Sequence, residues 1–154
     1  MEIGDKAPEI SIVDQEGKPF SLETHRGKWI VLYFYPKDNT PGCTVEAVDF
    51  TTLKSDFERM NAIVVGVSPD SVKAHQNFIN KKELDLILLS DPEHSVIEQF
   101  GAWKLKKNYG REYFGVERST VLIDPGGKIA YIWRKVKAKG HAEAVKNKLV
   151  ELVS

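Results

Sequence analysis

Hydrophobic residues in this chain fall into short continuous runs separated by segments of helical periodicity. Residues 29–35 (WIVLYFY) and 62–67 (AIVVGV) are apolar and rich in aromatic and β-branched residues, which predicts strands buried on both faces. Between them, apolar side chains recur every three or four positions over residues 41–60, which predicts a helix. We expect a right-handed unit of two parallel strands joined through this helix.

The rest of the chain continues the alternation of strands and helices. Asp91 suits the N-cap of a helix over residues 92–100, and Pro125-Gly126-Gly127 marks a hairpin turn. Residues 101–117 show no clear periodicity, and we expect a long loop there. The other predicted elements are a hairpin of residues 9–13 and 18–22, helices over 70–81 and 141–153, a strand over 86–89, and hairpin strands over 120–124 and 128–133.

This order of elements predicts an α/β fold of the thioredoxin-like arrangement, with a mixed central sheet flanked by helices and an N-terminal β-hairpin extension. The chain has 154 residues, of which 42% are hydrophobic and 29% charged, as in globular domains that bury a sizeable core. No linker or repeat interrupts the pattern. We therefore expect residues 1–154 to form a single domain.

Charge and cysteine content narrow the function classes. Twenty-two Lys and Arg residues balance 22 Asp and Glu residues, which gives no support for nucleic-acid binding. No apolar run approaches the roughly 20 residues that span a bilayer, and no signal peptide is visible. Because there is one cysteine, an internal disulfide or a multi-cysteine zinc site is excluded. We expect a cytoplasmic location, where a free thiol stays reduced.

The one cysteine, Cys43, lies where the strand over 29–35 has ended and a helix begins. Thr40 suits the N-cap, Pro41 the first helical position and Cys43 the third. There a thiol faces unpaired backbone N–H groups and the positive end of the helix dipole, and both stabilise the nucleophilic thiolate. A lone cysteine is more often a small buried hydrophobe, but the end of a strand in an α/β fold favours a reactive group.

The residues before Cys43 resemble a known motif. Residues 36–43 (PKDNTPGC) resemble the peroxiredoxin motif Pro-x-x-x-Thr-x-x-Cys, and the string YFYPKDNTPGCT over 33–44 resembles the Q-type subfamily, the bacterioferritin comigratory proteins. GVSPD at 66–70 and RST at 118–120 also fit that subfamily. The resemblance covers essentially the whole chain. It implies an antioxidant thiol-dependent peroxidase that reduces hydrogen peroxide and organic hydroperoxides.

The resemblance also implies residue roles. Cys43 is similar to the peroxidatic cysteine, and Thr40 to the threonine whose hydroxyl bonds the thiolate and the peroxide. Pro36 is similar to the proline that shields the pocket from water, and Arg118 to the arginine that holds the thiolate and polarises the peroxide. Arginine suits the chemistry, because it stays cationic and can stabilise charge on the departing oxygen. Alone, the threonine, proline and arginine would indicate only a helix cap, a loop and a surface charge.

The sequence departs from the subfamily at one position. Many Q-type relatives carry a resolving cysteine five residues after the first, where this chain has Val48. The sulfenic acid formed at Cys43 must therefore be resolved by an external thiol, such as thioredoxin, glutaredoxin or glutathione, or by Cys43 of a second molecule. This is a one-cysteine mechanism. Since Q-type relatives are often monomers, we expect a monomer.

Other readings of the chain remain open. A monothiol disulfide oxidoreductase on the same fold would normally carry Cys-x-x-Cys or Cys-x-x-Ser, whereas residues 43–46 are CTVE. A redox sensor that changes partners when Cys43 is oxidised is a non-enzymatic alternative. Glu46 lies one helical turn after Cys43 and can pair with Arg118. No two histidines have the i, i+4 metal spacing, and we predict neither a metal nor a cofactor; the histidines are His25, His75, His94 and His141.

Overall fold

Nine strands and five α-helices alternate along residues 1–154 of the computed structural model. The strands are β1 (Ile12–Val13), β2 (Pro19–Phe20), β3 (Trp29–Phe34), β4 (Ala62–Ser68), β5 (Ile87–Ser90), β6 (Trp103–Asn108), β7 (Arg111–Val116), β8 (Ser119–Ile123) and β9 (Ile129–Trp133). The helices are α1 (Pro41–Thr52), α2 (Lys54–Arg59), α3 (Val72–Lys82), α4 (Ser95–Gln99) and α5 (His141–Val153).

The central sheet has seven strands in the order β2-β1-β5-β4-β3-β8-β9. Strands β3, β4 and β5 are parallel, whereas β8 and β9 join one edge and β1 and β2 the other in antiparallel pairs. This arrangement confirms the predicted α/β thioredoxin-like fold, its mixed sheet and its N-terminal hairpin extension. The parallel strands lie at the centre because they are apolar throughout and need cover on both faces.

Strand β3 shows how the sheet divides the core into two layers. Ile30, Leu32 and Phe34 pack on one face with α4 and the N-terminal segment. Val31 and Tyr33 pack on the other face with α1, α2, α3 and α5, and this layer contains Cys43. The alternation follows from the two-residue period of a strand. None of the helices combines the length and the apolar character that a membrane span requires.

The prediction of a long loop over residues 101–117 is wrong, because this segment forms the β6–β7 hairpin. Its turn is Tyr109-Gly110, where both φ angles are positive, 52° and 76°, as a tight two-residue hairpin turn requires. Leu105 pairs with Phe114 across the hairpin, yet the Phe114 residue is 62% exposed. Since neither strand has a well-buried face, the apolar–polar alternation that identifies a strand is absent from the sequence.

Two predicted helices also have different bounds. The helix over 41–60 divides at Leu53, which ends α1 with φ −90° and ψ 4°. The helix over 92–100 begins only at Ser95, and its N-cap is His94 rather than Asp91. Asp91 still serves this helix from outside, because its carboxylate accepts hydrogen bonds from the Ile97 N–H at 2.9 Å and the Ser95 hydroxyl at 3.2 Å. The predicted capping group was therefore correct in chemistry but wrong in position.

Candidate active site

Cys43 lies at the predicted junction, in the first turn of the helix that follows β3. Thr40 is the N-cap with extended backbone angles, Pro41 begins α1, and Cys43 is the third helical residue. The cysteine is free and only 1% exposed. The N-terminal end of α1 carries unpaired backbone N–H groups and a positive partial charge, so it stabilises a thiolate at this position.

Arg118 is brought to Cys43 by the short connection between β7 and β8. Its Nη2 group donates to Cys43 Sγ at 3.2 Å, and its Nη1 group donates to Glu46 Oε1 at 2.6 Å. The side chain is 16% exposed. Burial acts to lower the pKa of Arg118, but the negative charges of Glu46 and Cys43 outweigh it and raise that pKa. The guanidinium therefore stays cationic beside the sulfur.

Glu46 completes a group that we call the Cys43 cluster, consisting of Cys43, Glu46 and Arg118. The predicted pairing of Glu46 with Arg118 is present, and the Glu46 residue is fully buried. Its second oxygen, Oε2, has no hydrogen-bond partner. Burial raises the pKa of Glu46 to about 7, against the attraction of Arg118. The cluster therefore contains a carboxyl group that takes up a proton near neutral pH.

The other two predicted site residues lie on the loop that leads to Cys43. Pro36 is half-buried two residues after β3 ends. Thr40 is also half-buried, and its hydroxyl donates to the Lys37 carbonyl at 2.8 Å rather than to Cys43. The side chain that donates a hydrogen bond to Sγ in this structure is thus that of Arg118. Thr40 and Pro36 lie on the loop between β3 and α1.

Sequence reasoning missed several buried groups around this cluster. The Tyr33 hydroxyl is buried without a partner, and burial followed by the charge of Glu46 raises its pKa. His141 Nε2 is hydrogen-bonded to Thr120 Oγ1 at 2.7 Å, and burial together with Arg118 lowers the pKa of His141 to about 4. Tyr33 lies in the same string as Cys43, but its apolar run indicated only a buried strand. His141 is far from Cys43 in the sequence, and no local motif could have linked the two.

Glycine at position 42 makes room for the arginine. A Cβ atom on Gly42 would lie 3.3 Å from Arg118 Nη2, closer than most real contacts of that kind. Gly42 is the second residue of α1, where a glycine is otherwise unfavourable for helix formation. The close approach of the guanidinium explains why position 42 has no side chain.

No second thiol is available to Cys43 within the chain. Val48, at the position of the expected resolving cysteine, lies on α1 and is 38% exposed. With one cysteine in the sequence, the redox chemistry of this site depends on a thiol from outside. The geometry can therefore hold an anionic sulfur beside a fixed cation, with a proton-accepting carboxyl group behind it.

Comparisons with known proteins agree with this geometry. The AhpC/TSA family profile matches residues 3–132. Peroxiredoxin Bcp of Bacillus subtilis is 51% identical over 146 residues, covering 94% of this chain and 93% of that protein. The Xanthomonas campestris bacterioferritin comigratory protein, solved in work on its alkyl peroxide reduction activity, has 41% identity and a TM-score of 0.90, covering 94% of this chain and 92% of that one. A PrxQ mutant from Xylella fastidiosa has 40% identity and a TM-score of 0.95, covering 100% and 98%.

These relatives share both the sequence and the fold over nearly their whole length. The identity is high enough to indicate membership of one family and not only a common fold. The match includes the strand, loop and helix that carry Cys43. One cysteine in the chain fits a one-cysteine cycle. The chain therefore belongs to the AhpC/TSA family, and it is a peroxiredoxin and so a thiol-dependent peroxidase.

Proposed function

We propose that Cys43 is the peroxidatic residue and that Arg118 is the group that activates its reaction with a peroxide. The observation that carries this proposal is the 3.2 Å contact from Arg118 Nη2 to Cys43 Sγ in the first turn of α1. A fixed guanidinium next to the nucleophile stabilises both the thiolate and the negative charge that develops on a nearby oxygen. The cation is in place before the peroxide arrives.

The reaction is a displacement at oxygen. The Cys43 thiolate attacks one peroxide oxygen, an S–O bond forms, and the O–O bond breaks with its electron pair leaving on the second oxygen. That oxygen takes up a proton and departs as water from hydrogen peroxide or as an alcohol from an organic hydroperoxide. The sulfur is oxidised to a sulfenic acid, and the peroxide is reduced.

Thr40 and Pro36 complete the proposed pocket. In the resting structure the Thr40 hydroxyl is held by the Lys37 carbonyl at 2.8 Å. A hydroxyl can donate and accept at once, so rotation of this side chain can direct its oxygen toward a bound peroxide. Pro36 is half-buried on the same loop and offers no backbone N–H, which suits a wall that keeps water away.

Regeneration of Cys43 needs an external thiol. That thiol attacks the sulfenic sulfur and releases water, and a second thiol then displaces Cys43 from the mixed disulfide. Because Cys43 is 1% exposed, a protein thiol reaches it only after the first turn of α1 opens. Thr40 makes no side-chain cap on this turn, so opening does not have to break one.

The proposals on partners and location follow from the chemistry of a single reactive thiol. We propose thioredoxin, glutaredoxin or glutathione as the reductant, hydrogen peroxide and organic hydroperoxides as substrates, and an antioxidant role. A single free thiol suits the reducing cytoplasm. We further propose that residues 1–154 act as one domain and as a monomer, because the Cys43 cluster is complete within one chain.

The proposal is tested by stopped-flow oxidation of the reduced protein with excess hydrogen peroxide and with an organic hydroperoxide. We expect Cys43 to be oxidised orders of magnitude faster than a free thiolate, and Cys43→Ser to show no oxidation. Turnover is then measured with thioredoxin, glutaredoxin and glutathione in turn. Oxidation no faster than that of a free thiolate, with efficient disulfide exchange, would instead indicate a monothiol oxidoreductase.

A further inference from the structure

A second buried polar group underlies the loop before Cys43, and the mechanism above does not use it. We call it the Asp38 cluster, and it consists of Tyr35, Asp38, Asp70 and His75. Asp38 Oδ1 accepts the Tyr35 O–H at 2.5 Å, and Asp38 Oδ2 lies 2.6 Å from His75 Nδ1. His75 is fully buried and the Asp38 residue is 8% exposed. The cluster joins the loop to α3, on which His75 lies.

The partners of His75 fix its hydrogen atoms. Nε2 lies 2.9 Å from the Leu89 carbonyl, which can only accept, so Nε2 carries a hydrogen. One further proton lies between Nδ1 and Asp38 Oδ2, because two bare acceptors would not approach to 2.6 Å. Both ring nitrogens are therefore engaged. Asp38, Asp70 and His75 have the ligand atoms of a metal site within 4.8 Å, but these hydrogen bonds use the atoms that would bind an ion.

The backbone of the loop is held as well. The Asp38 N–H donates to Asp70 Oδ2 at 2.8 Å. Asp70 Oδ2 also accepts the Ser68 hydroxyl at 2.7 Å, and the Asp70 carbonyl accepts the Ser90 hydroxyl at 2.5 Å. Residues at the ends of β4 and β5 thus anchor Asp70, and Asp70 anchors the loop. Asp38 is fixed through its main chain and through both oxygens of its side chain.

This anchoring falls in the middle of the loop that leads to Cys43. Asp38 lies midway between Pro36 and Thr40, and the next residue, Asn39, has a φ of 61° in the left-handed region, which costs energy unless the surroundings impose it. In contrast, the first turn of α1 lacks a side-chain cap. The loop is therefore held through both its main chain and its side chain where it precedes Cys43, whereas no side chain caps the helix turn that carries Cys43.

We propose that Asp38 and His75 are positioning residues for the peroxidase reaction: their hydrogen-bonded pair holds the Pro36–Thr40 loop in the geometry that Cys43 and the peroxide require. The proposal rests on the proposed function of Cys43. It assigns a purpose to a buried hydrogen-bonded pair that has no hydrogen bond to the sulfur or to Arg118. Misplacement of a reacting group by about 1 Å can cost on the order of 100-fold in rate, so a rigid loop has a direct kinetic effect.

The test compares a variant that breaks the pair with one that preserves its hydrogen bonds. His75→Phe leaves Asp38 Oδ2 and the Leu89 carbonyl without donors. Asp38→Asn keeps the pattern, because the amide oxygen accepts the Tyr35 O–H, the amide N–H donates to Nδ1 of a neutral His75, and Nε2–H still donates to Leu89. We expect His75→Phe to lower the second-order rate constant for oxidation by hydrogen peroxide roughly 10- to 100-fold, and Asp38→Asn to lower it less than about threefold.

A second readout separates positioning from a general structural role. Alkylation of the thiolate by iodoacetamide does not need the peroxide pocket, so its rate in His75→Phe should equal or exceed that of the unaltered protein. Ile97→Ala serves as the stability control, because Ile97 is fully buried on the opposite sheet face. This variant should lower the melting temperature and keep the peroxide rate. If His75→Phe does not fold, Asp70→Ala removes the acceptor of the half-buried Asp38 N–H and should show the same separation.

Two results would overturn the proposal. One is a peroxide rate in His75→Phe and Asp70→Ala equal to that of the unaltered protein. The other is an Asp38→Asn variant as slow as His75→Phe, because hydrogen-bond geometry would then not be the cause. Failure of the proposed function is distinguishable, since it would appear as slow oxidation of the unaltered protein itself.

Discussion

The two buried polar clusters near the Cys43 loop are built differently. In the Cys43 cluster, Glu46 Oε2 has no hydrogen-bond partner. Outside the cluster, the buried Tyr33 hydroxyl, whose pKa is raised by burial and by the charge of Glu46, also has none. In the Asp38 cluster, both side-chain oxygens of Asp38 and both ring nitrogens of His75 are hydrogen-bonded. Both clusters lie in the same region of the fold, yet one contains a buried polar atom without a hydrogen-bond partner, whereas every buried side-chain polar atom of the other has one.

The difference indicates a division of labour. A buried polar atom without a partner is costly, and it persists where a substrate, water or proton is to be received. A fully satisfied network rigidifies the chain around it. We therefore interpret the Cys43 cluster as the group that reacts and the Asp38 cluster as the group that holds the loop. Separate perturbation of each cluster tests that interpretation.

The largest effect is expected when the Cys43 cluster loses its cation. Arg118→Ala removes the only side-chain donor to Cys43 Sγ, and loss of one such donor typically costs roughly 100- to 1,000-fold in rate. Stopped-flow oxidation by hydrogen peroxide measures the change. Arg134→Ala is the control, since Arg134 also donates from Nη2, but to the Phe100 carbonyl at 2.7 Å, and it is more exposed than Arg118. A comparable loss of rate in Arg134→Ala would show that the effect is not specific to the site.

The next effect is a pH dependence of stability that originates in Glu46. Its pKa is raised from 4.5 to about 7 in the folded protein, so the folded state binds more protons than the unfolded state between these values. Stability is therefore lost as the pH rises from 4.5 to 7, by up to about 3 kcal/mol at 1.36 kcal/mol per pKa unit. Glu46→Gln cannot ionise and lacks this loss.

Urea unfolding of both proteins at several pH values measures this difference. His141 acts in the opposite direction, because its lowered pKa of about 4 means that stability falls as the pH drops from 6.5 to 4. That contribution is common to both proteins and cancels when their free energies of unfolding are subtracted. A difference between Glu46→Gln and the unaltered protein that stays constant from pH 4.5 to 7 would contradict the assignment.

The sequence allowed the Cys43 cluster to be predicted far better than the Asp38 cluster. Cys43 and Glu46 lie one helical turn apart, a local pattern that is visible in a sequence. Arg118 lies 75 residues after Cys43, and its role came from the resemblance to a known motif. The pairing of Asp38 with His75 joins residues 37 positions apart, and only the packing of α3 against the sheet brings them together. One signal was present: His75 lies three residues before the buried Phe78, so it occupies the apolar face of its helix.

The β6–β7 hairpin shows a different limit of sequence reasoning. Buried strands such as β3 were predicted because burial selects continuous apolar runs. The hairpin forms a separate two-stranded sheet, its lysines and apolar residues are mostly exposed, and nothing in the hydrophobic pattern requires a strand there. The Tyr109-Gly110 turn was the one local indication, and Tyr109 is an unusual residue at a positive φ.

The smallest predicted effect comes from Gly42→Ala, which perturbs the Cys43 cluster without removing any polar group. The new Cβ would lie 3.3 Å from Arg118 Nη2, so the guanidinium must shift by a fraction of an ångström, which disturbs its contact with Sγ. We expect the peroxide rate to fall by less than about tenfold. Stability should rise by about 0.5 kcal/mol, because alanine favours a helix more than glycine does. Stopped-flow and urea unfolding measure the two quantities on one variant. A slower but more stable protein would show that Gly42 is required by the reaction rather than by the fold, whereas a parallel loss of rate and stability would assign it to the fold.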